Sequence, residues 1–274
     1  MPAIPGSTTI GFIGLGVMGR SMAGHLLRAG YELHIHNRTK SKCDELISAG
    51  AIWHSGVAEL SALCDVVITI VGFPADVEGL YLGSHGIIEN AKPGAVLIDM
   101  TTSEPKLSVE IYNGAKQRNI ASIDAPVSGG DVGAREARLS IMVGGDESAY
   151  HEVLPLFEIM GKTIVLQGPA GSGQHCKACN QISIAAGMLG VCEAVAYAGR
   201  SGLDPSTVLE SISGGAAGSW SLSNLAPRMI AENFDPGFYV KHFIKDMQIA
   251  AESSEDLGLD TPGLALALAM YRKL

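Results

Sequence analysis

Apolar residues along this chain follow two rhythms. In the first, short runs recur: Thr9-Ile10-Gly11-Phe12-Ile13, Glu32 to His36, Asp65 to Val71, Ala95 to Asp99 and Ala121 to Asp124. The unbroken runs among them predict strands buried on both faces, as in a parallel sheet. Between them the spacing turns helical, near Ser41 to Ser48, Ala75 to Leu82 and Pro105 to Arg118. A helical stretch also follows the first run, ending at Arg28 and the stop Ala29-Gly30. Strand and helix alternate, which predicts an α/β domain with a doubly wound, Rossmann-type parallel sheet. Leu139 to Gly144 and Thr163 to Leu166, with a helix between them, complete it.

The rhythm changes after Gln167-Gly168-Pro169-Ala170, where the strand pattern stops. The expected domains are therefore 1–168, a dinucleotide-binding unit, and 169–274, an all-helical unit for substrate and dimerisation. The second opens with a run poor in helix breakers from Gly171 to about Gly199. Pro205 to Ser211 follows, with Asp204 placed to cap it and proline at the first position. Ser219 to Ala231 and Tyr239 to Leu257 are further helices, with Pro236-Gly237-Phe238 as a break before the last. An alanine- and leucine-rich run without an evident cap ends the chain at Leu274.

Composition narrows the function classes. The chain has 274 residues, 47% hydrophobic and 17% charged, enough for two domains with their own cores. A formal net charge of -9 argues against nucleic acid held by bulk electrostatics. The apolar run Val66 to Val71 is too short to span a bilayer, and Met1 to Thr9 has no basic residue or apolar core. A cytoplasmic enzyme without membrane association is expected, and the apolar helical half predicts a partner surface, hence a homodimer or homotetramer. The five cysteines lack framework spacing. Cys176-x-x-Cys179 has no second pair for zinc, so no metal is expected and both thiols read as small helix-packing groups.

Three stretches carry candidate chemistry. Gly14-Leu15-Gly16-Val17-Met18-Gly19 sits between a strand and a helix. Gly14 permits the tight turn, Gly16 lets backbone approach a pyrophosphate, and Gly19 lets helix and strand pack closely. Where an acidic residue would grip the ribose 2′-hydroxyl of NAD, the chain has Asn37-Arg38-Thr39. Donors and positive charge suit a 2′-phosphate, so NADP(H) is preferred and NAD(H) remains possible. Val71-Gly72-Phe73 and Thr102 follow later strands at the carboxyl edge, where ligands gather in such sheets. At the same edge Ser128-Gly129-Gly130 offers backbone N–H groups beside a hydroxyl, a nest for a carboxylate. The third stretch is the helix entry from Gly171 to Gln181. Lys177 stands there in otherwise uncharged sequence, with Asn180 and Gln181 three and four residues on, along one helical face. A solvated surface lysine is the commonplace alternative. A lysine held among apolar groups loses hydration, and its pKa can fall toward the range useful for proton transfer.

Taken together these motifs resemble the β-hydroxyacid dehydrogenase family: 3-hydroxyisobutyrate dehydrogenase, tartronate semialdehyde reductase and the glyoxylate/succinic semialdehyde reductases. Gly11 to Gly19 is similar to its cofactor signature, Asp124-Ala125-Pro126-Val127-Ser128-Gly129-Gly130 to its substrate signature, and Gly171-x-Gly173-x-x-x-Lys177-x-x-Asn180 to its catalytic one. The resemblance covers nearly the whole chain. It implies Lys177 as general acid/base, the Ser-Gly-Gly segment as holder of the substrate carboxylate, Asn180 as the residue orienting the substrate, and Lys245 near the cofactor. Some relatives place the amide where this chain has Gln181, so the division between Asn180 and Gln181 stays open. Family members run somewhat further, so the last helical segment is expected to be cut short. The implied activity is reduction of a small aldehyde acid, glyoxylate or a semialdehyde, by NADPH. Alternatives are an NAD-dependent 3-hydroxyisobutyrate dehydrogenase, a 6-phosphogluconate-type decarboxylase, an imine reductase-like enzyme, and a non-catalytic NADP-binding module.

Overall fold

The structure is a computed structural model, described here for residues 2–235 and 237–274. Of the expected break at Pro236-Gly237-Phe238, Pro236 lies outside the described residues. The chain divides into two compact units, Met1–Lys177 and Ala178–Leu274. Strand β9 ends at Gly168, so the sheet closes where the strand pattern stops, and the units part farther on, inside the following helix.

The first unit is built on nine strands: β1 (Thr9–Ile13), β2 (Glu32–His36), β3 (Ile52–Trp53), β4 (Val66–Thr69), β5 (Val96–Asp99), β6 (Ala121–Asp124), β7 (Val127–Ser128), β8 (Leu139–Gly145) and β9 (Gly161–Gly168). Their order is β3-β2-β1-β4-β5-β6-β8-β7, with β9 paired to β8. β1 through β6 pair in parallel, as expected, whereas β8 is antiparallel to β6 and β7, so the sheet is mixed at that end. Connections go outward from β1 to β2 and β3, then cross back to β4. That reversal puts the switch point of the sheet beside β1.

The helices of this unit are α1 (Val17–Arg28), α2 (Asp44–Ser48), α3 (Val57–Leu63), α4 (Pro74–Leu82), α5 (Ile87–Asn90), α6 (Pro105–Lys116), α7 (Gly130–Arg135) and α8 (Glu147–Met160). They cover both faces of the sheet, and the strands' period of two explains how. Ile10, Phe12, Ile68 and Ile98 enter one buried cluster, while Ile13, Val67 and Leu97 enter another with Leu60, Tyr81 and Ile111. Each such side chain stabilises the fold by about 1.5–3 kcal/mol on burial. Gly11 shows how tight the second layer is: a Cβ there would stand 2.3 Å from Leu60 Cδ2.

Helix α9 (Ser172–Arg200) begins in the first unit and continues into the second. Among the described residues it is the one helix long and apolar enough to cross a bilayer by length and composition, and 22% of that stretch is buried within the chain. Counting only unbroken apolar residues misses it, because Ser, Cys, Gln and Gly are interspersed. Cys179 is exposed on this helix, which corrects the reading of both thiols as packing groups. It lies two residues, about 200° of helical turn, from the buried Lys177.

The second unit adds α10 (Pro205–Ile212), α11 (Trp220–Asn224), α12 (Ala226–Ile230), α13 (Val240–Asp256) and α14 (Pro262–Tyr271). Asp204 caps α10 as predicted, its carboxylate accepting from the Ser206 and Thr207 N–H groups. The single helix expected over Ser219 to Ala231 is two short ones, because Pro227 has no N–H to continue the ladder and instead sits at the start of α12. Ala185, Phe243, Met247, Leu264 and Leu268 form one core of this unit, and Met188, Val191, Leu209, Leu222 and Ala226 a second.

Candidate active site

The turn after β1 is shaped by its glycines in three different ways. Gly14 has φ +100°, and a Cβ there would lie 2.1 Å from the Ile70 carbonyl oxygen. A Cβ on Gly19 would lie 1.9 Å from the Gly14 carbonyl oxygen. Both positions are closed by the protein's own backbone. Gly16 differs, since a Cβ there would meet nothing within 4 Å. Its missing side chain leaves open space above the start of α1, where free N–H groups and the helix dipole favour phosphate. This cradle fits the pyrophosphate of a dinucleotide. Leu15, Val17 and Met18 complete the turn and the first residues of α1.

Asn37 holds the neighbouring loop against this turn. Its Oδ1 accepts from Leu15 N at 2.9 Å, and its Nδ2 donates to the Thr39 carbonyl at 2.8 Å. The amide is thus committed to backbone. Arg38 and Thr39 are exposed, and Arg38 Nη1 stands 3.9 Å from Asp76 Oδ1 on α4. Val71, Gly72 and Phe73 follow β4, and Val71 N donates to Thr101 Oγ1 at 3.0 Å. Thr101 is buried, while the predicted Thr102 beside it is half-buried.

The ends of β5 and β6 carry two buried acids that are register partners, Asp99 and Asp124. Asp99 Oδ1 accepts from Thr69 Oγ1 at 2.8 Å and from Thr101 N at 3.1 Å, while Oδ2 has no partner among the described residues. Burial pushes its pKa up to about 6, against the pull of the Thr101 and Thr69 hydroxyls. Asp124 faces the start of α9. Its Oδ1 accepts from Gly171 N at 2.7 Å and its Oδ2 from Gln174 N at 2.9 Å. Burial raises its pKa too, opposed by backbone N–H groups including that of Gly173.

The first turns of α9 are fixed from two more directions. Gln174, 1% exposed, accepts from Ser103 N at 2.9 Å and donates to the Thr101 carbonyl at 2.7 Å. Lys177, 6% exposed, donates from Nζ to the Val127 carbonyl at 3.0 Å. The solvated alternative for this lysine is excluded. Its amine lies one residue from Ser128, and Gly129 and Gly130 follow with φ +129° and +63°. The structure therefore brings together Lys177, the Ser128 segment and the Thr101–Ser103 loop.

In the second unit Asn180 Nδ2 donates to Gln181 Oε1 at 2.7 Å, and Gln181 Nε2 donates to Asp246 Oδ2 at 2.6 Å. Asp246 Oδ1 is 2.9 Å from Lys245 Nζ. Their side chains are 3% and 11% exposed, so the pair is buried. Gln181 is buried and Asn180 half-buried.

The sequence puts Asp124 at the start of the substrate signature, but by itself assigns no individual role to Asp99, Asp124, Thr101 or Gln174. A signal existed: two consecutive strands, Val96-Leu97-Ile98-Asp99 and Ala121-Ser122-Ile123-Asp124, both end in aspartate. No group of three or more His, Cys, Asp or Glu side chains that could hold a metal occurs among the described residues.

Two family models match the chain. Residues 9–168 match the NAD-binding domain of 6-phosphogluconate dehydrogenase, and residues 171–274 the NAD-binding domain of NADP-dependent 3-hydroxyisobutyrate dehydrogenase. The chain is 60% identical over 266 residues to an uncharacterised oxidoreductase of Bacillus subtilis, covering 97% of this chain and 92% of that protein. It is 39% identical over 265 residues to 2-hydroxy-3-oxopropionate reductase of Escherichia coli, covering 96% and 89%. Among solved structures it is similar to 3-hydroxyisobutyrate dehydrogenase of Mycobacterium tuberculosis with L-serine, at TM-score 0.89 and 30% identity, covering 97% and 93%.

Proposed function

This chain belongs to the β-hydroxyacid dehydrogenase family of NAD(P)-dependent enzymes, and we propose that it reduces a small aldehyde acid, glyoxylate or a semialdehyde, with NADPH. The observation that carries the reading is Lys177, buried with its amine on the Val127 carbonyl beside the Ser128-Gly129-Gly130 turn. The backbone N–H groups of that turn, with the Ser128 hydroxyl, hold the substrate carboxylate. The Gly14–Gly19 turn holds the pyrophosphate, Val71, Gly72, Phe73 and Thr102 line the nicotinamide end, and Arg38 with Thr39 takes the 2′-phosphate. The bound dinucleotide supplies the hydride.

Lys177 donates a proton to the carbonyl oxygen as negative charge develops there, and accepts it back in the reverse direction. Its bond to the Val127 carbonyl fixes the amine beside the Ser128 turn, where the substrate carbonyl has to lie. Asn180, three residues on along α9, orients the substrate. The exposed apolar flank of α9 supports a homodimer or homotetramer.

The test is oxidation of NADPH, with NADH in parallel, over glyoxylate and the succinic, tartronate and methylmalonate semialdehydes. Lys177→Ala is expected to lower kcat about a hundred- to ten-thousand-fold while NADPH binding changes little. An active Lys177→Ala enzyme would overturn the assignment.

A further inference from the structure

The cations around the turn after β1 each have a partner. Arg20 is 3.4 Å from Glu45, Lys40 Nζ lies 4.2 Å from the centroid of the Trp53 ring, and Arg38 is 3.9 Å from Asp76. The last pair differs in what it crosses. Arg38 follows β2 and Asp76 lies in the first turn of α4, after β4. β1 sits between β2 and β4, so the pair bridges the carboxyl end of β1, above the glycine turn. Asp76 is held in place there. Its Oδ2 accepts from Phe73 N at 3.1 Å and its own N–H donates to the Phe73 carbonyl at 3.0 Å, capping the helix. The carboxylate is therefore a fixed charge that Arg38 meets, and not a mobile side chain that happened to find it.

We propose that Asp76 is a specificity-determining residue that narrows the preference of this enzyme for NADP(H) over NAD(H) by competing for Arg38. The inference rests on Arg38 as the 2′-phosphate ligand. A phosphate can take the guanidinium fork bidentately and is the stronger partner. Binding it, however, leaves a capped carboxylate close to a dianion, and like charges at that separation repel. A ribose bearing a 2′-hydroxyl meets no such opposition. A chain that lacks the acidic residue at the end of β2 thus regains part of its effect from α4, and both cofactors are usable. Arg38 is 93% exposed and Asp76 37%, so solvent and salt screen the competition and keep it modest.

The experiment measures Kd for NADPH and NADH by nicotinamide fluorescence on the full-length enzyme, wild type, Asp76→Asn, Arg38→Ala and the double variant. Asparagine keeps an oxygen for the Phe73 N–H and removes the charge, and a thermal melt of each variant accompanies the titrations. Asp76→Asn is expected to raise the NADPH-over-NADH affinity ratio about three- to fivefold at low salt, the size of one exposed charge pair at this separation. The gain should shrink in 0.5 M salt, as screening at about 3–10 Å requires. It should also vanish in the Arg38→Ala background. If Arg38→Ala collapses the ratio but Asp76→Asn leaves it within twofold of wild type, Asp76 has no such role and the NADP(H) reading stands. If Asp76→Asn acts equally without Arg38, the effect is bulk charge and the competition is refuted. If Arg38→Ala leaves the ratio unchanged, Arg38 is not the phosphate ligand and both readings fall.

Discussion

Asp124→Ala tests whether the start of α9, the helix that carries Lys177, is held by one carboxylate. In the protein Asp124 receives N–H groups from Gly171 and Gln174 at 2.7 and 2.9 Å, with Gly173 as a further donor. Its raised pKa shows that burial outweighs these bonds for the ionised form, so the carboxylate is not a large net gain by itself. The cost of removing it comes from the donors it would leave behind. Each buried N–H without an acceptor costs about 1–3 kcal/mol, and water entering the vacated space recovers part of that. The expected loss is about 2–4 kcal/mol, a large share of the roughly 5–15 kcal/mol that holds a domain folded. Relaxation to fill the space is limited, because a Cβ on Gly173 would already stand 2.4 Å from the Met142 carbonyl oxygen. The same turn leads to Lys177, three residues after Gln174, so misplacing it should lower kcat by tenfold or more with less effect on cofactor Kd. Asp124→Asn keeps one acceptor and turns an amino group toward a backbone N–H, so it should fall between wild type and alanine. Urea unfolding followed by circular dichroism, with kcat measured well below each midpoint, reads both quantities. An Asp124→Ala enzyme within about 1 kcal/mol of wild type, turning over normally, would refute the clamp.

Other substitutions separate folding from function at the remaining parts of the site. Gly16→Ala should melt close to wild type, since its Cβ meets nothing within 4 Å, yet raise cofactor Kd at least tenfold; Gly14→Ala should lose the fold instead, its Cβ being driven to 2.1 Å from Ile70 O. Thermal melts and fluorescence titration distinguish the two. Asp99, with a pKa raised to about 6 from an ordinary value near 4, binds a proton more tightly folded than unfolded. Its contribution to stability is therefore full below about pH 4 and lost as pH rises through 6, by up to about 3 kcal/mol. Asp99→Asn should flatten that part of the stability–pH curve, and an unchanged slope between pH 4 and 6 would contradict the assignment. Gln174→Ala leaves Ser103 N and Thr101 O without their partners, and urea midpoints should report a loss of about 2–4 kcal/mol.

Much of this was legible in the sequence because it is local. Gly14, Gly16 and Gly19 lie within six residues of one another, and the strand before them and helix after them define their context. Lys177 stood out because its neighbours on one helix are uncharged. What the sequence hid are partners far apart along the chain: Asp124 reaches Gly171 and Gln174 across 47 and 50 residues, and Gln181 reaches Asp246 across 65. In the sequence Lys245-Asp246 reads as an ordinary charged pair on a helix, whereas the structure buries it with the Asp246 carboxylate accepting from the distant Gln181 amide. Asp99 and Asp124 make the point most sharply, since each ends a parallel strand and they stand opposite one another in register. One is left with an oxygen that no described residue satisfies and the other accepts from a helix terminus. Their own strands give them equivalent places. The difference comes from α9, whose N–H groups arrive at Asp124 while its Gln174 side chain binds the loop that follows Asp99. A helix that donates to one acid and only ties down the loop beyond the other fixes the lysine three residues on, and leaves Asp99 as the acid whose titration stability should record.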